Sequence, residues 1–498
     1  MYPCHKQLPQ NLYLAEQVRQ LDQRAVEVCK ITGYELMQRA GNAAFECIRT
    51  NWPDITSLVV YCGPGNNGGD GFVIARLAQE AGFTIRVLCV VEQDKLSGDA
   101  KLAADDLVKS DVVIESCDQT VDETDCLLVD AIFGTGLNRP ATPEIAELIN
   151  RINVSPAPVL AVDIPSGIHA DTGEMLGVSV RAQATITFIA LKQGLFTSAA
   201  PEYCGEIFFT DLAVTAATYK GIEPSARLLN QLQLNDYFPQ KRKADSHKGN
   251  FGHVLVIGGD SGYAGAPRMA GEAAARTGAG LVSIATRQQN IAAFLAGCPE
   301  LMVHDVSNGE DLSTLIEKAT VIAIGPGLGQ SRWAQSLLAT VLESDKPLIV
   351  DADALNILAA EPCQNSNWIL TPHPGEAARL MNTTTREIQA DRFNAIRELQ
   401  TRYGGVIVLK GSGSLVIDQS GQISVIKAGN PGMATGGMGD VLTGILAGLV
   451  AQGLTIDQAA CMGSLLHARA GDLAAEAGQR GLLAMDLMPW IRHLMNFG

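Results

Sequence analysis

Short, unbroken apolar runs alternate with loops rich in glycine, asparagine and aspartate, and this alternation constrains the fold more than any other feature of the chain. The runs at 58–62, 127–132, 159–162, 321–324, 348–350 and 406–409 are too short for helices. They also lack the polar alternation of strands with one wet face, so they read as strands buried on both sides. Helical patterns lie between them. Strands alternating with helices predict an α/β fold built on parallel, doubly wound sheets. In such sheets ligands bind at the carboxyl ends of the strands. The chemistry is therefore expected in the loops directly after the apolar runs.

With 498 residues the chain is too long for one core, so two domains are expected. Periodicity weakens between 218 and 246, which places a linker near 220–232 and predicts domains at 1–222 and 232–498. Net charge is −16, which excludes broad binding of nucleic acid or anionic membrane. The run Lys241-Arg242-Lys243 reads as a solvated face. No apolar run reaches 18 residues, so no membrane span is predicted. The 11 cysteines form no CxxC pair, as expected in a reducing cytoplasm. The start, Met1 to Lys6, has no apolar signal region. Ala/Gly-rich helices near 264–280 and 438–452 suit close packing within or between subunits, which leaves a homo-oligomer open.

In the first half, residues 14–50 read as two helices. A strand at 58–62 leads into Gly63-Pro64-Gly65-Asn66-Asn67-Gly68-Gly69-Asp70-Gly71 and then a helix from 72 to about 81. Further strands are expected at 85–91, 112–115, 127–132, 159–162 and 185–190. The loop contains a literal GxGxxG, Gly63 to Gly68, with Glu92 downstream, so a dinucleotide-binding unit is a rival. Against it, Asp70 would meet a pyrophosphate with a carboxylate, and two asparagines offer oxygens a phosphate does not need. Asparagine, aspartate and serine oxygens suit a hard cation. Asn67, Asp130 and Ser166 would converge on one such ion. Asp130 and Asp163 each end an apolar strand, where a bare carboxylate is costly unless paired or bound.

In the second half, a strand within 252–257 runs into a glycine loop, further strands are expected at 281–285, 321–324, 348–350, 368–370 and 406–409, and most of these strands precede a chemical loop. These loops include Ser261-Gly262-Tyr263-Ala264-Gly265-Ala266-Pro267, Gly325-Pro326-Gly327-Leu328-Gly329, Asp351-Ala352-Asp353, Thr371-Pro372-His373-Pro374-Gly375-Glu376 and Lys410-Gly411-Ser412-Gly413-Ser414. The last to come is Asn430-Pro431-Gly432-Met433-Ala434-Thr435-Gly436-Gly437-Met438-Gly439-Asp440, which enters an apolar helix-like run. Unpaired N–H groups at a helix start attract anions, and glycine lets a phosphate approach them. An aspartate among them would take a proton from a hydroxyl facing that phosphate. The combination suits phosphoryl transfer to an alcohol.

The motifs GPGNNGGDG, VDAIFGTGLNRP (129–140) and AVDIPSG (161–167) resemble the NAD(P)H-hydrate epimerase domain over roughly residues 10–220. YAGAP, GPGLG, DADAL, TPHPGE, KGSGS and NPGMATGGMGD resemble the NAD(P)H-hydrate dehydratase branch of the ribokinase-like fold over about 235–495. The resemblance implies a Rossmann-like first domain and a ribokinase-like second one, together a bifunctional isomerase and lyase that repairs hydrated NADH and NADPH. It implies potassium on Asn67, Asp130 and Ser166. Hydrated dinucleotide is implied against Asn66, Asn67, Gly68, Gly69, Asp70, Gly134, Thr135, Gly136, Leu137, Asn138, Arg139, Pro140 and Asp163, with Asp163 expected as the acid–base group. In the second domain it implies substrate at Ala266, Gly327, His373 and Asp440. It implies nucleotide at Lys410, Gly411, Ser412, Gly413, Ser414 and Gly439. ADP is the implied phosphoryl donor, with Mg²⁺, and Asp440 is the expected general base.

Overall fold

The structure is a computed structural model that describes residues 5–117, 125–229 and 242–497. It divides into two compact units, Met1–Arg227 and Leu228–Gly498. Both are of the expected α/β class.

The first unit is built on β2 (Ser57–Cys62), β3 (Thr84–Cys89), β4 (Ile114–Ser116), β5 (Leu127–Ala131), β6 (Val159–Val162), β7 (Ala184–Phe188) and β9 (Glu206–Thr210). Their order is β4-β3-β2-β5-β6-β7-β9, all parallel. The strand order reverses at β2, which lies between β3 and β5. The crevice above a reversal is where two successive loops splay apart. Here those loops are 63–65 and 132–140. Strand β1 (Asn11–Tyr13) pairs in parallel with β8 (Leu191–Lys192) and antiparallel with β10 (Ala226–Leu229). The helix Ala15–Cys29 follows β1, and the helix Gly33–Asn51 starts on a Thr32 cap that accepts the Glu35 N–H at 3.0 Å.

In the second unit β11 (His253–Ile257), β12 (Leu281–Thr286), β13 (Met302–Asp305), β14 (Val321–Ile324), β15 (Leu348–Val350), β16 (Trp368–Leu370) and β17 (Val406–Leu409) pair in parallel. The strands β18 (Ser414–Ile417) and β19 (Ile423–Ile426) add antiparallel. The reversal falls at β11, between β12 and β14. One helix runs through the core. In Met438–Ala451 every residue is buried except Gly439 and Asp440, so the only two positions left partly open are those at the candidate site. It packs on the helix Gly265–Thr277 so closely that a β-carbon on Gly444 would stand 2.0 Å from the Ala270 carbonyl oxygen. The small residues of these two helices thus serve packing inside the unit.

Several expectations need correction. The helix expected from 72 begins instead at Asn66 and runs Asn66–Glu80. Glycine propensity argues for a loop, but here glycines let a helix start press onto the sheet, and tertiary packing outweighs propensity. Strands β1, β8, β9, β10, β13, β18 and β19 lie outside the expected set; most are short or carry polar residues. Residues 226–229, inside the expected linker, form β10. Residues 230–232 of that linker and Lys241 lie outside the described residues. Arg242 stacks over Phe251 at 3.7 Å and donates to the Gly278 carbonyl at 2.5 Å.

Candidate active sites

At the reversal of the first sheet, Asp130 ends β5 fully buried. One of its oxygens accepts from the Ser166 hydroxyl (2.6 Å) and the Ile132 N–H (3.2 Å), the other from the Ser166 N–H (2.8 Å). Ser166 Oγ in turn accepts the Phe133 N–H at 2.8 Å. Burial lifts the Asp130 pKa to about 6 against the lowering pull of these donors. Asn67 is buried in the first turn of its helix, and neither its Oδ1 nor its Nδ2 has a partner among the described residues. An orphaned buried amide is costly. Carboxylate, hydroxyl and amide oxygens are hard donors, so Asn67, Asp130 and Ser166 fit a hard cation.

Asp163 follows β6 in the left-handed region (φ 69°), with its N–H on the Ile186 carbonyl at 2.7 Å. A β-carbon on Gly134 would lie 3.3 Å from Asp163 Oδ2 and 3.4 Å from Asn67 Cβ. The structure therefore brings Asn67, Gly134 and Asp163 together. The rest of 134–140 forms a loop whose last three residues, Asn138, Arg139 and Pro140, are exposed. Sequence reasoning missed Lys192, which is 1 % exposed and ion-paired to Asp163. A lysine directly after the apolar run 184–191 was the available signal. Asp22, on the helix Ala15–Cys29, and Asp70 complete the charged set. Burial, then the charges of the neighbouring aspartates, hold Asp70 well above the usual carboxylate range, while Lys192 opposes this. Burial pushes Asp22 to about 7.

In the second unit Gly437 (φ 92°) opens the helix Met438–Ala451 and places Asp440 in its first turn. The first-turn N–H groups have no acceptor inside a helix. A β-carbon on Gly439 would stand 3.3 Å from Lys410 Nζ and 3.5 Å from Asp351 Oδ2. Lys410 donates to Asp351 at 2.9 Å and lies 3.7 Å from Glu376. Thr443 donates to the other Asp351 oxygen at 2.8 Å. Burial opposes ionising Asp351, but Lys410 and the hydroxyl donors win and its pKa is lowered. Asp440 bears the consequence. Burial, then the Asp351 charge, raises it to about 7, with Lys410 opposing.

His373 caps the helix Pro374–Met381. Its Nδ1 accepts the Gly375 and Glu376 N–H groups at 3.0 and 3.2 Å, and its own N–H donates to Glu376 at 2.8 Å. The cap leaves its ring exposed beside Glu376 and the Lys410 ammonium. Ala266 and Gly327 meet across the sheet reversal, 3.4 Å apart when Gly327 is given a β-carbon. Asp353 ties in the Gly329 N–H at 2.8 Å. The Lys410–Ser414 loop rests on Arg392, a wholly buried guanidinium that sequence reasoning also missed. It donates to the carbonyls of Leu409 (3.1 Å), Lys410 (3.3 Å) and Gly413 (3.4 Å).

Comparison with known proteins agrees over the whole length. The family model described as "NAD(P)H-hydrate dehydratase" matches residues 254–492, and "YjeF-related protein N-terminus" matches 33–194. A bifunctional NAD(P)H-hydrate repair enzyme from Coxiella burnetii is 49 % identical over 97 % of this chain and 99 % of its own. Its counterpart from Escherichia coli K12 is 44 % identical over 98 % and 95 %. Among solved structures, a ribokinase-like superfamily protein from Enterococcus faecalis V583 is 33 % identical, with a TM-score of 0.51, over 55 % of this chain and 96 % of its own. With two α/β units, each gathering polar side chains at its sheet reversal, and with this identity end to end, the chain belongs to the family of bifunctional NAD(P)H-hydrate repair enzymes.

Proposed function

We propose that the first unit interconverts the R and S hydrates of NADH and NADPH, and that the second dehydrates the S form using ADP. The observation that carries the second assignment is Asp440, placed among the first-turn amides of a buried helix and beside the Lys410–Asp351 pair. Water added across a nicotinamide ring double bond leaves a hydroxyl on the carbon beside the ring nitrogen. Hydroxide is a poor leaving group and phosphate a good one. Asp440 takes the hydroxyl proton, and the oxygen attacks the terminal phosphorus of ADP, releasing AMP. N–H groups of Gly436, Gly437 and Gly439 stabilise the transferring phosphoryl. The ring nitrogen lone pair then expels phosphate, and loss of a proton from the adjacent carbon restores the double bond.

Ala266, Gly327 and His373 are assigned to the hydrated ring, and Lys410, Gly411, Ser412, Gly413, Ser414 and Gly439 to the nucleotide. Mg²⁺ would enter on the nucleotide phosphates: among the described residues no group of three or more His, Cys, Asp or Glu lies where it would hold a metal.

In the first unit Asn66 to Asp70, Gly134 to Pro140 and Asp163 are assigned to the hydrate. Asp163 takes the hydroxyl proton, the carbon–oxygen bond becomes a carbonyl, and the carbon–nitrogen bond breaks as nitrogen gains a proton. Return of nitrogen to the other face of the aldehyde inverts the centre. Asn67, Asp130 and Ser166 would hold potassium, whose charge offsets buried Asp130 and whose coordination employs the Asn67 amide oxygen. No helix among the described residues is long and apolar enough to cross a membrane, and we place the enzyme in the cytoplasm.

The test is NADH recovery at 340 nm from S hydrate with ADP and Mg²⁺. Asp440→Asn is expected to lose dehydration by at least about 1,000-fold while R and S forms still interconvert. Recovery at the wild-type rate would remove Asp440 as base. Accumulation of a stable phosphorylated hydrate by the wild-type chain would instead indicate a kinase.

A further inference from the structure

We propose that Lys192 is the positioning residue of the first site, holding Asp163 as the proton acceptor for epimerisation. The inference rests on the epimerase reading above and extends it to a side chain outside the assigned loops.

After β7 the chain reverses at Ile189, which is left-handed (φ 61°), and β8 returns alongside β1. This turn swings Lys192 back over the strand it has just left. Its ammonium donates to Thr187 Oγ1 at 2.8 Å, to the Phe188 carbonyl at 3.5 Å and to Asp163 Oδ1. An ammonium has three donors, and all three are directed. Thr187 is itself fully buried. The carboxylate is held equally from its own side, by the left-handed backbone at 163 and the Asp163 N–H on β7. Two adjacent strand ends thus aim one cation at one carboxylate.

Burying a lysine is expensive unless something needs its charge. Asp163, after β6, pairs with the ammonium directly, and Asp22 from the helix Ala15–Cys29 and Asp70 from the helix Asn66–Glu80 lie close enough to feel its charge. Lys192 sets a cation against the Asp163 carboxylate, and it is the carboxylate that can accept the hydroxyl proton. With its three donors committed inside the protein, Lys192 acts through Asp163 and not on the substrate. Asp163 Oδ2, the oxygen not bonded to Lys192, is the one turned toward Gly134.

The experiment measures R-to-S conversion by the intact chain, with its own dehydration of S hydrate as internal control. Lys192→Met is expected to lower kcat for epimerisation about 100-fold, as for a misplaced or wrongly protonated base, with KM for the R hydrate within about twofold and dehydration unchanged. Thr187→Val removes one acceptor of the ammonium, together with the long Thr187 hydroxyl bond to Asp163 Oδ1 (3.4 Å), and leaves both charges. It is expected to lower kcat about tenfold, and it carries the test if Lys192→Met does not fold. The Asp163→Asn, Lys192→Met double variant is expected to be no slower than Asp163→Asn alone. Wild-type kcat in either single variant would overturn the proposal. So would a loss carried by KM alone, or a double variant slower by the product of the single losses. A wild-type chain that leaves R hydrate untouched would sink the epimerase reading itself and is distinguishable from all of these.

Discussion

Asp440 and Asp351 share one lysine, and only one of them can be fully compensated. Lys410 and Thr443 are spent on Asp351, so burial and the Asp351 charge raise Asp440 to about 7. A base must be ionised to act. Dehydration is therefore expected to fall about tenfold per pH unit below 7 and to level off above it; the pH profile of kcat/KM for the S hydrate reads this directly. A profile flat down to pH 5 would exclude Asp440 as the titrating base. In the first unit, Asn67 makes a different prediction. Its two orphaned polar atoms cost about 1–3 kcal/mol each when nothing fills the space beside them. Asn67→Leu is expected to melt at or above the wild type in potassium-free buffer. Added potassium should then raise the melting temperature of the wild type and leave the variant unmoved. Equal shifts in both would separate Asn67 from cation binding.

Among the elements, the Lys410–Ser414 loop shows how a polar turn is kept in one shape. The carbonyls of Leu409, Lys410 and Gly413 converge on Arg392, which lies on the buried face of the helix Arg392–Tyr403. Arg392→Met would leave these acceptors unsatisfied at a cost of about 3 kcal/mol. KM for ADP is expected to rise about tenfold as the loop loosens, with epimerisation unaffected. An unchanged KM would mean that the loop keeps its shape without the guanidinium. The helices Gly265–Thr277 and Met438–Ala451 make a comparable point about packing. Contact through Gly444 and Gly448 brings them close enough for the start of the second helix to abut Met269.

At the scale of the whole chain, two units carry two separate sets of acid–base residues. A variant in one unit should therefore leave the other intact. Asp163→Asn is expected to recover NADH from an R and S mixture only until the S form is spent. Asp440→Asn is expected to recover none. Mixed together, the two variants should restore full recovery, because the hydrates diffuse between molecules. Failure of the mixture, with each variant folded, would mean that one unit needs its own intact partner in the same chain.

The strand-end loops were legible in the amino-acid sequence because buried parallel strands leave unbroken apolar runs, and the loop after each run lies at the binding edge of the sheet. The α/β class, the glycine-rich turn before Asp440 and the strand-end placing of Asp130 come from local pattern alone. Helix starts rich in glycine did not, since the sheet that presses the helix Asn66–Glu80 into shape comes from distant segments. Thr443, Arg392 and Asp22 were equally hidden, and Lys192 was marked only by its place at the end of an apolar strand. Each is an ordinary residue on a strand or helix whose meaning comes from a partner far away in sequence. Local chemistry marks which groups can react. Only the tertiary structure decides which charge is buried against which, and hence which aspartate stays ionised and which is left to hold a proton near neutral pH.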